Sequence, residues 1–306
     1  MRIVFMGTPE FAVASLRAIL AASFDVAGVV TAPDKPAGRG LKLSESAVKT
    51  FAKTHGLNIL QPEKLKNPEF ISALQALKAD VQVVVAFRML PEVVWNMPPE
   101  GTINLHGSLL PNYRGAAPIN WAVINGEKET GVTTFRLKHE IDTGNILLQK
   151  SFPIAPDETA GEVHDRMKLI GADLLVETLK GIEAGTLKGV PQQYSEDIPH
   201  APKIFTETCR INWLEPIERV YNLVRGLSPY PGAFTSFEGK TLKITRAEKS
   251  PETFGPEPGA FRSDGKNYLQ FSAIDGSLNI TELQLEGKKK MSVVDFLRGY
   301  RFTTKH

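Results

Sequence analysis

Two polar side chains close together on one strand are the first sign of chemistry in this chain. Gly101-Thr102-Ile103-Asn104-Leu105-His106 alternates apolar Ile103 and Leu105 with polar Asn104 and His106. By the two-residue period of a strand, Asn104 and His106 share one face. An imidazole can take up and hand on a proton near neutral pH, and a carboxamide can donate to a developing oxyanion. Spacing alone leaves a second reading open, a half-buried histidine satisfied by its neighbours. The next residues, Gly107-Ser108-Leu109-Leu110-Pro111-Asn112-Tyr113-Arg114-Gly115-Ala116-Ala117-Pro118, are dense in turn formers. They suggest a loop held in one shape beside a flat ligand. Further along, Ile141-Asp142-Thr143-Gly144-Asn145 joins two strand-like pieces and presents Asp142 at a tight turn.

These groups need a scaffold, and the N-terminal half supplies its pattern. Arg2 to Met6, Val26 to Val30 and Val81 to Phe87 are apolar, β-rich runs. The last is nearly all apolar, as expected for a strand buried on both faces of a parallel sheet. Helical stretches lie between, at Phe11 to Ala22, Ser44 to His55 and Pro68 to Leu77, with Thr8 as the expected N-cap and Pro9 in the first helical position. Strand–helix alternation of this kind predicts an α/β fold with a doubly wound, mostly parallel sheet. Such sheets bind ligands at their carboxyl edge, which is where Asn104 and His106 stand.

Two stretches break the alternation. Pro33-Asp34-Lys35-Pro36-Ala37-Gly38-Arg39-Gly40 has two cations and no apolar anchor, which predicts an exposed, mobile loop. Pro191 to Lys203 contains three prolines and little apolar content, which reads as a linker. Beyond it, Leu242 to Thr245, Tyr268 to Phe271 and Leu278 to Leu285 are short strands between Gly and Asp turns. They predict a small β-barrel. The boundaries expected are 1–189 for a catalytic domain, 190–205 for the linker and 206–306 for the barrel domain.

Composition and motifs narrow the chemistry. The chain has 306 residues and a net charge of +2, so bulk electrostatics does not announce a nucleic-acid binder. A single cysteine, Cys209, excludes an intrachain disulfide and a cysteine metal cluster. The six histidines have no metal-ligand spacing, and no metal is expected. Gly7-Thr8-Pro9-Glu10 follows the first strand with one glycine where a dinucleotide fingerprint needs three, and no phosphate-binding Gly-Lys-Ser/Thr loop occurs. No apolar run approaches a membrane span, so the expectation is a cytoplasmic protein with no membrane partner.

Taken in order, Asn104-x-His106, Gly-Ser-Leu-Leu-Pro, Arg114-Gly115-Ala116-Ala117-Pro118 and Asp142-Thr143-Gly144 resemble the folate-dependent formyltransferase family. The resemblance extends from Arg2-Ile3-Val4-Phe5-Met6-Gly7-Thr8-Pro9 through the Pro-Ala-Gly-Arg-Gly loop to Gly287-Lys288-Lys289-Lys290-Met291-Ser292. It implies a Rossmann-like formyltransferase domain followed by an OB-like barrel domain. It also implies 10-formyltetrahydrofolate as donor and, from the Arg39 loop and the second domain, the α-amine of methionine on initiator tRNA as acceptor. In the family pattern Asn104, His106 and Asp142 are catalytic: the first two stabilise the tetrahedral intermediate and Asp142 helps relay protons. Ser108, Leu109, Leu110 and Pro111, with Leu90-Pro91, match the folate loops, and Phe87 and Met89 are further candidates for the donor's pocket wall. There the chain departs from the family, with Ala86-Phe87-Arg88-Met89-Leu90-Pro91 one residue short and Arg88 in place of glycine. Arg39, Lys35 and Lys42 match the loop that reaches the tRNA acceptor end, and Lys288 and Lys289 form a second basic cluster. A monomer is expected. Three rivals stay open: a sugar-nucleotide formyltransferase, a 10-formyltetrahydrofolate hydrolase, and an RNA-binding protein with a degenerate first domain.

Overall fold

β-branched and aliphatic runs flanked by amphipathic helices build the first part of the molecule. The computed structural model describes residues 1–37, 42–193, 195–255 and 257–302. Its strands are β1 (Arg2–Gly7), β2 (Asp25–Val30), β3 (Lys35–Ala37), β4 (Lys42–Ser44), β5 (Ile59–Leu60), β6 (Val81–Val85), β7 (Thr102–His106), β8 (Arg114–Gly115), β9 (Glu129–Arg136), β10 (Ile146–Pro153), β11 (His200–Ala201), β12 (Ala233–Phe237), β13 (Lys240–Ser250), β14 (Phe261–Ser263), β15 (Leu269–Ser272), β16 (Ser277–Leu285) and β17 (Met291–Ser292). Its α-helices are α1 (Glu10–Ala21), α2 (Ala47–Thr54), α3 (Pro68–Ala76), α4 (Glu92–Trp95), α5 (Pro118–Ile124), α6 (Ala160–Glu183), α7 (Ile217–Gly226) and α8 (Val293–Gly299). They group into two compact units. The first comprises 1–115, 131–152 and 164–200, and the second 116–130, 153–163 and 201–306.

The first unit is organised on a sheet of order β10-β9-β7-β6-β1-β2-β5. β5, β2, β1, β6 and β7 run parallel, and β9 turns antiparallel to β7. The expected doubly wound, mostly parallel sheet is therefore present. Successive connections run outward in opposite directions from β1, toward β2 and toward β6. The carboxyl ends of β1, β6 and β7 flank that reversal, where this class of sheet opens a crevice. Every residue of β6 is buried, as its apolar run predicts.

One local expectation is corrected. Thr8 does not cap α1; Pro9 holds the boundary with φ −81° and ψ 176°, and no side chain caps the helix. An extended ψ puts Pro9 outside the helix, and a proline side chain offers no acceptor. α2 likewise starts late, at Ala47, because Ser46 caps it by accepting from the Lys49 N–H (3.0 Å) while Ser44 pairs in β4.

The second unit holds an antiparallel sheet of order β12-β13-β16-β15-β14, with β17 on β16. Bulges between Ile244 and Ala247 on β13 interrupt the ladder with β16. Bulges bend a strand and increase its twist, and this sheet is curled, consistent with a small barrel-like domain. Phe237, Phe271, Leu242, Ile244, Leu278 and Leu283 fill its core, capped by α7 and α8. No helix among the described residues is long and apolar enough to cross a membrane.

Candidate active site

Regular pairing of β7 with its two neighbours fixes the directions of its side chains. Leu105 faces α6, where the position of a Cβ on Gly171 would lie 2.9 Å from its Cδ2. Asn104 and His106 therefore share the opposite face. His106, the last residue of the strand, is 7% exposed. Its Nε2 lies 2.9 Å from the Tyr113 carbonyl oxygen. A carbonyl can only accept, so Nε2 carries the hydrogen. Nδ1 is left for chemistry, and it faces the Asp142 carboxylate at 3.8 Å. An added proton thus arrives on Nδ1, between ring and carboxylate. Among the described residues the half-buried Asn104 side chain has no hydrogen-bond partner, so its amide is free for a ligand.

Asp142 reaches the site from the connection between β9 and β10. Its carboxylate accepts the Gly115 N–H at 3.0 Å. Its backbone is left-handed, with φ +54°. Two neighbours, Tyr113 (φ +59°) and Ala86 (φ +46°), share that conformation. Residues with a Cβ adopt it at a cost, and structures retain such strain at sites that need a group aimed.

The loop after β7 is braced from beneath. Buried Thr133 on β9 donates to the Ser108 carbonyl (2.6 Å) and accepts the Leu110 N–H (3.1 Å). Gln149 on β10 donates to the Leu110 carbonyl and to Thr133. Ser108 spends its hydroxyl on the Asn112 carbonyl, 2.6 Å away. Leu109 packs where a Cβ on Gly131 would lie 2.5 Å from its Cδ2, and Leu110 is 3% exposed. Ser108, Leu109 and Leu110 thus direct their side chains into the protein and frame the loop, while Pro111 stays half exposed. Thr133 and Gln149 escaped sequence reasoning; on an alternating strand they read as ordinary polar positions.

The segment after β6 leaves the same edge of the sheet, since β6 and β7 are parallel and pair Val85 with Leu105. Leu90 is buried, Phe87 packs against the Val4, Met6 and Val84 cluster, and Met89 is 73% exposed. Arg88 reaches to the segment that follows β5. Its guanidinium donates to the Glu63 carbonyl (2.7 Å) and to that of Pro62, just past β5. The substitution for glycine therefore ties two strand ends together. If the donor is a folate, as the resemblance implies, replacing Arg88 by alanine is expected to raise its KM by about 3- to 10-fold, near 1 kcal/mol, with kcat unchanged. Steady-state kinetics with the donor varied checks this; an unchanged KM would remove Arg88 from the account.

The basic residues lie on two further segments, one in each unit. Lys35 is exposed on β3, which pairs antiparallel with β4 as Lys35↔Ser44, Pro36↔Leu43 and Ala37↔Lys42. The loop expected to be exposed and mobile is thus flanked by a paired hairpin stem. Arg39 lies outside the described residues. The stem is rooted at Asp34, whose carboxylate meets Lys49 Nζ at 2.5 Å and Gln61 Nε2 at 2.9 Å. Lys49, then Gln61, hold that carboxyl below the usual carboxylate range. Lys288 and Lys289 are exposed in the turn between β16 and β17 of the second unit. The structure therefore gathers Asn104, His106 and Asp142 on the edge of one sheet, with 108–111 and 87–90 on the segments that leave that edge. No group of three His, Cys, Asp or Glu among the described residues could hold a metal ion.

Comparison with known proteins covers both parts of the chain. A formyl transferase family model matches residues 1–179, and a formyl transferase C-terminal domain model matches 203–301. The chain is 52% identical to the methionyl-tRNA formyltransferase of Bacteroides fragilis, over 99% of this chain and 96% of that one. It is 53% identical to the enzyme of the same name from Parabacteroides distasonis, over 98% and 96%. Its fold is similar to the crystal structure of an N-formyltransferase from Helicobacter canadensis in complex with folinic acid and dTDP-3-aminofucose, with TM-score 0.67 and 21% identity over 91% of this chain and 98% of that one. Matched along nearly its whole length, and carrying Asn104, His106 and Asp142 on one sheet edge, the chain belongs to the formyl transferase family.

Proposed function

We propose that this chain transfers the formyl group of 10-formyltetrahydrofolate to the α-amine of methionine on initiator tRNA. The observation that carries the reading is the divided imidazole of His106. One nitrogen is fixed on the Tyr113 carbonyl and the other faces Asp142, beside an unpartnered Asn104 amide. Relatives about half identical over the full chain, each a methionyl-tRNA formyltransferase, support the acceptor.

The chemistry follows from those groups. The amine nitrogen attacks the formyl carbon, a C–N bond forms, and the carbonyl electron pair moves onto oxygen. Asn104 Nδ2 and the proton on His106 Nδ1 donate to that oxyanion. The attacking nitrogen then loses a proton, the folate nitrogen gains one, and the carbon–folate bond breaks as the carbonyl re-forms. Asp142 balances the charge on the ring while the proton crosses, directly or through water. The segments 87–90 and 108–111 flank the donor ring, with Leu90, Phe87 and Pro111 as apolar walls, Met89 at the rim, and Ser108, Leu109 and Leu110 as the frame. No metal takes part. On this reading the chain works as a monomer in the cytoplasm.

Lys35 and Lys42, whose strands form the hairpin, meet the tRNA backbone together with Arg39, Lys288 and Lys289. The hairpin follows β2 and so leaves the same sheet edge as the site, which supports its part in presenting the acceptor end. Phosphate contacts release counterions, so tRNA affinity is expected to fall steeply with salt. Arg39→Ala is expected to weaken it further and to reduce the slope of log K against log salt by about one. Binding titrations of charged initiator tRNA across a salt series decide this; affinity indifferent to both salt and Arg39 contradicts the assignment.

A further inference from the structure

Gln192 lies in the proline-rich stretch whose composition reads as a linker, and it does more than connect. Its Oε1 accepts from Arg114 Nε (3.1 Å) and Nη2 (2.6 Å). Its Nε2 donates to the backbone carbonyls of Asp142 (2.9 Å) and Gly144 (2.8 Å). Arg114 can only donate and the carbonyls can only accept, so a single orientation of the amide satisfies all four contacts. The segments that carry two of the strained residues, Tyr113 and Asp142, meet through this one side chain. Tyr113, next to Arg114, gives its carbonyl to His106, and Gly115, on the other side, gives its N–H to Asp142. The segment 113–115 thus spans the reacting pair, and Gln192 bolts its middle residue to the turn that carries Asp142.

We propose that Gln192 is a positioning residue for formyl transfer: it holds the Asp142 turn against segment 113–115 and so sets how the Asp142 carboxylate faces His106. This rests on the reading of Asp142 and His106 as the working pair. Gln192→Glu keeps the size and both Arg114 contacts, because a carboxylate accepts them. It also turns the donor end into an acceptor facing two carbonyls.

The experiment is a cycle of four full-length proteins: wild type, Gln192→Glu, Asp142→Ala and the double variant. Formyl transfer is followed with 10-formyltetrahydrofolate and charged initiator tRNA, and folding by circular dichroism. Gln192→Glu is expected to lower kcat on the order of 10- to 100-fold, as a displacement near 1 Å does, with both KM values kept. In the Asp142→Ala background the same change is expected to cost nothing further, because residues acting as a unit are non-additive. Gln192→Ala, which adds no charge, is expected to behave alike if the glutamate variant folds poorly. An unchanged kcat in both Gln192 variants, or losses that multiply in the double variant, overturns the proposal. Wild-type turnover by Asp142→Ala alone overturns the reading of the site, and this proposal with it.

Discussion

His106→Ala and Asp142→Ala are each expected to lose roughly 10²–10³ in kcat, about 2.7–4 kcal/mol of transition-state stabilisation, with both substrates still bound. The reasoning is geometric. His106 Nε2 is spent on the Tyr113 carbonyl, so nothing but Nδ1 can deliver a proton. Asp142 is the carboxylate facing it. Removing the ring removes the donor; removing the carboxylate leaves an imidazolium without its counter-charge. Asp142→Asn separates charge from shape, because the amide oxygen still accepts the Gly115 N–H. It is expected to lose as much as Asp142→Ala. Single-turnover rates with both substrates saturating give the answer, and wild-type rates from any of these variants would sink the assignment.

Gly144→Ala is expected to lower kcat by about 100-fold and to destabilise the fold by about 1–3 kcal/mol. The Cβ of an alanine there would lie 1.6 Å from the Arg136 carbonyl oxygen and 2.8 Å from its carbon. Both are backbone atoms of β9 that cannot step aside as a side chain can. The turn would have to lift, pulling the Gly144 and Asp142 carbonyls from Gln192 and Asp142 from Gly115. Gly299→Ala is the control, since a Cβ there meets nothing within 4 Å. Thermal unfolding and turnover measured together on the two variants check this. A Gly144→Ala protein as active as the control would mean that the turn has slack the packing does not reveal.

How much of this the sequence displayed depended on the kind of signal each residue sends. β6 and β7 were legible because burial on both faces leaves an apolar run and a half-used face leaves an alternation. Asn104 and His106 could be paired from the same period. Asp142 needed the family resemblance, since it lies beyond an intervening helix and strand and no local pattern ties it to a strand thirty-odd residues earlier. Gln192 sent no signal at all. Its partners are 50 and 78 residues away, and a lone glutamine among prolines looks like solvent-facing chain. The roles of Tyr113 and Gly115 are played by backbone groups, which every residue has, so side-chain types cannot announce them. Arg88 was visible as a departure from the family, but only its contacts with the Pro62 and Glu63 carbonyls explain what it does. Thr8 misled because a good capping residue preceded a proline whose ψ turned out to be extended.

These arguments converge on one transfer, from a folate nitrogen to the amine of a charged tRNA. The most direct measurement follows label from 10-formyltetrahydrofolate in parallel reactions offered charged initiator tRNA, a nucleotide amino-sugar, or water alone. The account predicts label on the methionyl amine of the tRNA, none on the amino-sugar, and release as formate no faster than without enzyme. Label on the amino-sugar, or rapid release as formate with the tRNA left unlabelled, would contradict it.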